Sequence, residues 1–257
     1  METQPASGSI LGSLVERHLH RVYQLCVRMT LHPDDAANAC FETFARVSDA
    51  VPPPDGEEGL WLVKIAAGVV AQKLPPTPEV SFALLDETLR SEATRTGEVA
   101  SLTDLCQRDV LLWEMKQGCM TAVVNCLSPG ERVAFVLASV IGLTDEETAR
   151  VLEIKASALK VRLSRARKKV GDYLAPRCEH VDPRNPCHCP SRIGVALRLG
   201  FIAPPAHAEV TLRWVPKFDS ARRTRDAVSI YRTLPEPEPP PSLRERIAGA
   251  IATGAWQ

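Results

Sequence analysis

Residues 143–169 constrain the fold of this chain more than any other stretch, because an acidic half is followed directly by a basic one. Thr144 stands near the start with Glu147 three positions later, which is the spacing of a capping box at a helix N-terminus. Between residues 155 and 169 there are seven basic side chains and no acidic one. Apolar residues recur at helical spacing through both halves. The stretch therefore predicts two short helices that share a core across a tight turn.

The second of these helices is predicted to carry charge on one face. Its polar positions recur at steps of three and four residues: Lys160, Ser164, Arg165 and Lys168. Leu159 and Leu163 fall on the opposite side, toward the core. The pattern is typical of a helix-turn-helix whose second helix enters the major groove of DNA. The alternative is a solvated basic helix in an unrelated bundle, but the capping box and the acid-to-base division favour DNA.

The overall composition limits the classes of protein to which the chain could belong. The 257 residues balance 31 basic against 31 acidic side chains, which argues against a generally basic nucleic-acid coat protein. No uncharged apolar stretch reaches membrane-spanning length and no signal-peptide pattern opens the chain, so we expect a soluble, cytoplasmic protein without a membrane partner. In that compartment, eight cysteines do not indicate a disulfide framework.

Helical periodicity divides the chain into units. Three helices are predicted within residues 10–74; the second spans about 35–51 with Asp34 as its cap, and proline clusters end the second and third. Residues 75–103 read as a linker, and helical pattern returns from 104 to 175. Within it, Ser128 and Glu131 form a second capping box, and Gly142 can serve as the C-terminal stop of the helix that begins there. The expected fold is all-α, with helical domains at 10–74 and 104–175, a linker at 75–103 and a C-terminal extension at 176–257.

The extension opens with a cluster of cysteines and histidines. Cys178, His180, Cys187 and Cys189 could supply four ligands to a metal, and thiolate with imidazole favours zinc, with copper less favoured. His188 lies between two of these cysteines and is expected to point away. The alternative is a cysteine-bearing loop that packs on the second domain without a metal.

Nothing in the sequence indicates catalysis. We find no glycine-rich phosphate loop, nucleophile elbow or clustered carboxylate pair, and therefore expect no enzymatic activity. A metal held by four protein ligands would keep no open coordination position, so its role would be structural or sensory.

The motifs in this order resemble a bacterial sigma factor of the extracytoplasmic-function (ECF) group of the sigma-70 family. LSPGERVAF at 127–135, GLTDEETA at 142–149 and ALKVRLSRAR at 158–167 are similar to the fourth conserved region of that family. In the first domain, residues 34–44 are similar to the family's polymerase-binding surface, and WLVKIA at 61–66 is similar to the start of the helix that melts and reads the downstream promoter element. The resemblance covers residues 10–74 and 105–175.

The resemblance implies an RNA polymerase sigma factor that directs promoter-specific transcription initiation, with its extension modulating activity. The first domain would bind the β′ clamp helices of core polymerase, and the second, beside the β flap, would read the upstream (minus thirty-five) element through helix 156–169. An anti-sigma protein is a further candidate partner. The implied polymerase-binding residues are Asp35, Phe41, Glu42, Phe44 and Arg46, and those at the downstream element are Trp61, Lys64 and Lys73. The implied DNA-binding residues are Lys155, Ser157, Lys160, Arg162, Ser164, Arg165 and Lys168, with Lys160, Ser164 and Arg165 toward base edges and Ser157 and Lys168 nearer phosphates.

Two departures from the family pattern bear on this function. Polar and basic positions of the strand-reading helix are occupied here by Ala67, Gly68, Gln72 and Lys73. In the helix-turn-helix, Glu153 replaces a glycine, and glutamate adopts a left-handed conformation less readily than glycine. Ala67, Gly68 and Gln72 give the alternative of a sigma-like DNA-binding regulator that has lost promoter melting, whereas Glu153 bears on promoter strength.

Overall fold

The structure is a computed structural model that describes residues 7–30, 32–54, 56–78, 80–91, 105–198, 202 and 225–256. Its α-helices are α1 (Ser7–Met29), α2 (Pro33–Ala45), α3 (Glu58–Lys73), α4 (Phe82–Ser91), α5 (Leu105–Asn125), α6 (Pro129–Phe135), α7 (Asp145–Val151), α8 (Ala156–Leu174), α9 (Ile193–Arg198) and α10 (Pro241–Thr253). A π-helical turn spans Val136–Val140, and 3-10 helices span Cys189–Arg192 and Ser229–Thr233. Within the described ranges no strand forms beyond one bridge between Cys178 and Cys187. The all-α prediction is confirmed.

The first three helices pack together around apolar stripes that the sequence pattern predicts. Leu25, Phe44 and Leu62, one from each helix, are fully buried in the same cluster. The expected start of α2 is wrong by a short distance. Pro33 takes the first helical position after His32, and Asp34 lies inside the first turn, where its charge favours the positive end of the helix dipole.

The helices α5 to α8 form the second unit. Ser128 caps α6, since its backbone nitrogen and hydroxyl both donate to the Glu131 carboxylate at 3.3 and 2.8 Å. The helix then widens into the π-helical turn and stops at Gly142, whose φ of 81° is a conformation that glycine adopts without cost. The predicted glycine stop at this position is confirmed.

The linker region contributes one helix to the second unit. Arg177 donates to both carboxylate oxygens of Asp86 in α4, at 2.6 and 2.8 Å. The rings of Phe82 and Tyr173 lie 4.9 Å apart. Residues 82–91 are thereby attached to the C-terminal end of α8.

A continuous core joins the two helical units. The buried guanidinium of Arg28 in α1 donates to Thr121 and Gln117 of α5, at 3.4 and 3.2 Å. Burial lowers the pKa of Arg28 to about 10. A side chain of the second unit also reaches the first, since Arg132 of α6 donates to the backbone oxygen of Met29 in α1 at 3.4 Å. The units are therefore fastened by buried polar contacts as well as by apolar packing.

The C-terminal extension packs on both units. Ile193 and Ile202 are buried against Leu111 of α5. Farther along, the Tyr231 hydroxyl donates to the Met120 backbone oxygen at 3.1 Å. The helix α10 then lies on α1 and α2. Among the described residues, no helix combines the length and apolar character that crossing a bilayer requires.

Candidate nucleic-acid interface

The first helix of the helix-turn-helix is α7, and its start has the predicted cap. The Glu147 backbone nitrogen donates to the Thr144 hydroxyl at 3.1 Å, and the Thr144 backbone nitrogen donates to the Glu147 carboxylate at 2.8 Å. Two donors that the helix leaves unpaired are satisfied in this way. The capping box fixes where α7 begins and, with it, the position of the turn that follows.

The turn between α7 and α8 contains the one strained backbone position among the described non-glycine residues. Glu153 has a φ of 52°, in the left-handed region that favours glycine. The Ile154 backbone nitrogen donates to the Ala149 oxygen at 3.1 Å, so the chain closes the turn through a backbone hydrogen bond despite the strain. The helix-turn-helix therefore keeps the geometry that a glycine would give it.

The second helix, α8, has the two predicted faces. Leu159, Leu163, Ala166 and Val170 are buried, the first two against Ala134 of α6. The opposite face consists of exposed polar residues: Lys155, Ser157, Lys160, Ser164, Arg165 and Lys168. These positions project from a helix whose inner face is held by core packing, which is the arrangement that a groove-reading helix needs.

Three basic residues of α8 have neighbours that distinguish them from the rest. Lys168 pairs with Asp172 at 2.7 Å on the exposed face, and Lys169 pairs with the Glu131 carboxylate at 2.7 Å. The half-buried guanidinium of Arg162 faces Gly130, where a Cβ would lie 3.5 Å from its Nη1. Arg162 thus lies on the side of α8 that packs toward α6, away from the exposed basic face.

The residues expected at the downstream promoter element lie on α3. Trp61 is half-buried, whereas Lys64 and Lys73 are exposed. Lys73 pairs with Glu42 of α2 at 2.7 Å. Lys64 pairs with Glu153 in the turn of the helix-turn-helix, also at 2.7 Å. Both lysines are therefore engaged by carboxylates in this arrangement of the chain.

The residues expected to bind polymerase divide into two groups. Asp35 and Arg46 are exposed and Glu42 is half-buried, with an Arg46–Glu42 pair at 2.6 Å. Phe44 is fully buried in the core. Phe41 is also almost fully buried, but beneath the C-terminal helix α10. Asp35, Glu42 and Arg46 therefore lie at the surface, where a partner could reach them, whereas α10 covers Phe41 and the core encloses Phe44.

The structure brings together part of the predicted metal-ligand set. The donor atoms of Glu179, His180 and Cys189 lie within 4.8 Å of one another. The Cys189 sulfur and His180 Nε2 are 3.5 Å apart. Cys178 and Cys187 are adjacent through paired backbone, because the Cys187 nitrogen donates to the Arg177 oxygen and the Glu179 nitrogen to the Cys187 oxygen, but their sulfurs are not in this group.

The sequence interpretation missed one residue of this cluster, Glu179, and one cysteine that packs near it, Cys119. Glu179 accepts from the Cys189 backbone nitrogen at 2.6 Å and lies 2.9 Å from His188 Nδ1. An acidic residue between two predicted ligands was a signal that could have indicated it. Cys119 comes from α5, and burial together with the thiols of Cys187 and Cys178 raises its pKa. Because Cys119 lies far from the extension along the chain, no local sequence pattern indicated that the two would come together.

Comparison with known proteins agrees with this geometry. Residues 117–170 match the family model described as sigma-70, region 4. Over 164 residues the chain is 29% identical to the protein named ECF RNA polymerase sigma factor SigE of Mycolicibacterium smegmatis, a match that covers 63% of this chain and 60% of that protein. The chain thus matches less than two thirds of that relative's length.

The region 4 match begins within α5, includes all of α6 and α7, and ends near the C-terminus of α8. It therefore contains both helices of the helix-turn-helix, the strained turn and the exposed basic face. The chain is thus similar to the sigma-70 family in region 4, and over a longer stretch to an extracytoplasmic-function sigma factor.

Proposed function

We propose that the chain is a sigma factor that binds core RNA polymerase and directs it to specific promoters. The observation that carries this proposal is the exposed polar face of α8, presented by a capped helix-turn-helix within the region 4 match. Direct readout in the major groove requires donors that project from a rigidly held helix.

Within this function, Lys160, Ser164 and Arg165 read base edges of the upstream element. Lysine and arginine donate to guanine O6 and N7, and each good base contact contributes roughly 1–3 kcal/mol of discrimination. Ser157 and Lys168, toward the two ends of the exposed face, contact phosphates, which position the helix without specifying sequence. Lys155 adds positive charge at the turn. Arg162 supports α8 from its α6 side, as its position beside Gly130 indicates.

The first unit supplies the remaining contacts. The β′ clamp helices bind to the α2 surface, which consists of Asp35, Phe41, Glu42 and Arg46. Phe44 supports this surface from the core. Region 4 binds the β flap. Trp61, Lys64 and Lys73 on α3 face the downstream element. Since Lys64 and Lys73 are paired with carboxylates, these pairs must be exchanged for nucleic acid when the promoter is bound.

Transcription in vitro tests this function directly. Purified chain is added to core polymerase on fragmented genomic DNA, and the transcripts are sequenced. We expect a small set of specific start sites, weakened in Arg165→Ala and retained in Glu87→Gln, which changes an exposed residue of α4 outside the region 4 match. Absence of any specific start site across the genome would reject the proposal.

One observation favours a second candidate, a regulator that binds promoter DNA without melting it. On α3, Ala67 is buried, and Gln72 accepts a hydrogen bond from Arg46 at 2.8 Å. These positions thus serve contacts inside the first unit. Permanganate footprinting separates the two functions: reactive unpaired thymines near the start site indicate a melting sigma factor, and protection of duplex DNA without reactivity indicates the regulator.

We further propose that the extension binds zinc. His180 is fully buried, and burial, with the charges of Lys116 and Arg225, lowers its pKa to about 3, so the imidazole is neutral as a ligand must be. Zinc takes nitrogen and sulfur ligands at about 2.0–2.3 Å from the ion, so two ligand atoms on one ion lie less than twice that distance apart. The donor atoms of Glu179, His180 and Cys189, which are within 4.8 Å of one another, therefore need only a small contraction. Two ligand sets are possible: Glu179 with His180 and Cys189, or Cys178 and Cys187 with the same His180 and Cys189. Both sets contain His180 and Cys189.

Metal analysis of protein purified without chelator tests the zinc site. We expect one zinc ion per chain, lost in Cys189→Ser and retained in Cys126→Ser, which removes a thiol outside the cluster. Loss of zinc in Glu179→Gln but not in Cys178→Ser would identify the Glu179 carboxylate as the third ligand. Loss of zinc in Cys178→Ser but not in Glu179→Gln would favour the set of Cys178, His180, Cys187 and Cys189. A metal-free preparation that folds and binds DNA would reject a structural zinc.

A further inference from the structure

The C-terminal helix α10 is seated on the first unit through a narrow apolar stripe. Leu243, Ile247 and Ala250 follow helical spacing and are buried against α1 and α2, whereas the residues between them are exposed. The helix ends at Gly254, whose φ of 69° reverses the chain direction. That reversal brings Trp256 back onto α2.

Phe41 of α2 is the centre of this contact. The Arg246 guanidinium lies 3.8 Å from the centroid of its ring, and the Trp256 ring centroid lies at 5.3 Å. Arg246 also donates to the Asn38 side-chain oxygen at 2.8 Å. The result leaves Phe41 only 4% exposed, although it lies on the outer side of the three-helix unit.

The segment that leads to α10 is an extended spacer that contacts α1 through Pro235, Glu236 and Glu238. Residues 235–240 are rich in proline and form no helix or strand. Arg28 donates to the Pro235 backbone oxygen at 3.1 Å, and His20 lies 3.0 Å from Glu236. Such a spacer can remain attached at its beginning while the helix beyond it moves away.

We propose that α10 and core polymerase compete for one surface of the first unit, the Phe41 surface, formed by Asn38, Phe41 and the adjoining faces of α1 and α2. This inference rests on the proposed function, in which α2 binds polymerase. The side of α10 that faces α2 indicates the chemistry that the surface accepts: an amphipathic helix with an apolar stripe and an arginine that stacks on Phe41. The polymerase segment that displaces α10 has the same character.

Competition of this kind lowers the apparent affinity for polymerase by the fraction of molecules in which the surface is free. If α10 is seated in about nine molecules of ten, its release tightens binding by at most about tenfold. Changes within α10 reveal this effect cleanly, because they alter no residue of the α2 surface itself.

The test measures binding of the full-length chain, labelled at its N-terminus, to core polymerase by fluorescence anisotropy. Arg246→Ala and Trp256→Ala should each tighten binding by about threefold to tenfold. Arg244→Ala is the matched control, because Arg244 is exposed on the same helix and pairs only loosely with Glu238, at 3.4 Å. Phe41→Ala should weaken polymerase binding, since this residue serves both partners.

Hydrogen exchange in the wild-type complex gives a second measurement. Residues 241–253 should exchange faster once polymerase is added. If these amides stay protected, or if the Arg246 and Trp256 variants bind no more tightly than wild type, the competition is overturned while the sigma function stands. If no variant and no wild-type chain binds polymerase at all, the proposed function fails and this inference fails with it.

Discussion

The Lys64 ammonium nitrogen lies 2.7 Å from a carboxylate oxygen of Glu153, and this pair links α3 of the first unit to the turn of the helix-turn-helix. In the proposed function, these two elements hold promoter segments separated by more than one turn of duplex DNA, about 34 Å per turn. Both segments cannot be held while the pair is closed. If the proposed function holds, we therefore expect the free chain and the promoter-bound chain to differ in the relative position of the two units.

Glu153 combines an exposed ion pair with a left-handed backbone, and two substitutions separate these contributions. Glu153→Gln removes the charge and should leave the melting temperature unchanged within about 1 °C, because an exposed ion pair contributes little. Glu153→Gly relieves the strain at φ 52° and should raise the melting temperature by about 2–4 °C. Thermal unfolding followed by circular dichroism measures both.

Lys64→Gln is the control for this comparison, since it removes the same ion pair and leaves the turn unchanged. It should match Glu153→Gln in thermal stability. A rise in melting temperature for Glu153→Gln equal to that for Glu153→Gly would show that the carboxylate charge, and not the backbone, limits stability at the turn.

Arg165 and Lys168 should affect DNA binding in different ways. Arg165→Ala should weaken binding to the cognate upstream element and relax base preference at one position by roughly 1–3 kcal/mol. Lys168→Ala should weaken binding to all sequences alike and reduce the slope of log K against log salt by about 0.9. Competition binding on a library of single-base variants, repeated at several salt concentrations, measures both effects.

The pair of Lys168 with Asp172 in the free chain supplies a control for that experiment. Asp172→Asn frees the lysine without removing it, so binding to all sequences should strengthen slightly. Identical behaviour of the Arg165 and Lys168 variants would contradict the assignment of the groove-facing side.

The cap of α7 should contribute measurably to stability. Thr144→Ala removes the hydroxyl that accepts from the Glu147 nitrogen at 3.1 Å and should lower the free energy of unfolding by about 1 kcal/mol. Thr144→Ser keeps the acceptor and should cost much less. Urea denaturation of the three proteins gives the comparison, and equal values for the alanine and serine variants would rule out a role for the capping hydrogen bond.

Glu131 predicts a defined dependence of stability on pH. Burial alone would raise the pKa of Glu131, but hydrogen bonds from Lys169 and Ser128 outweigh it and lower the pKa below 4.5. A carboxyl whose pKa is lowered by folding stabilises the native state above about pH 4.5, and this contribution is lost as the pH falls through the lowered value. The free energy of unfolding should therefore decrease as the pH is lowered below about 4.5.

Glu131→Gln should flatten this fall below about pH 4.5 in denaturation curves, because the group that titrates is gone. Glu146→Gln is the matched control: it removes an exposed carboxylate of α7 that is not paired with Lys169. An unchanged pH dependence in the Glu131 variant would mean that the Glu131–Lys169 pair does not couple to folding.

Local signals in the sequence were sufficient for most of the helix-turn-helix. Thr144 and Glu147 predicted the cap, Gly142 the stop before it, and Leu159 and Leu163 the buried side of α8, because capping and helical periodicity depend on residues close along the chain. The start of α2 was missed, since Pro33 and Asp34 both suit the first turn. The DNA and polymerase contacts stay predictions, as each depends on a partner.

The sequence by itself determined the all-α class, the helix periods and the similarity to sigma-70 region 4, because these follow from short-range patterns and motifs. Only the tertiary structure decided that Lys64 meets Glu153, that Glu179 joins His180 and Cys189, and that α10 covers Phe41. Such contacts join residues far apart in the chain, and no local propensity encodes them. They arise because each apolar stripe must be buried against another, and the polar residues nearby then pair with whichever groups that packing brings within reach.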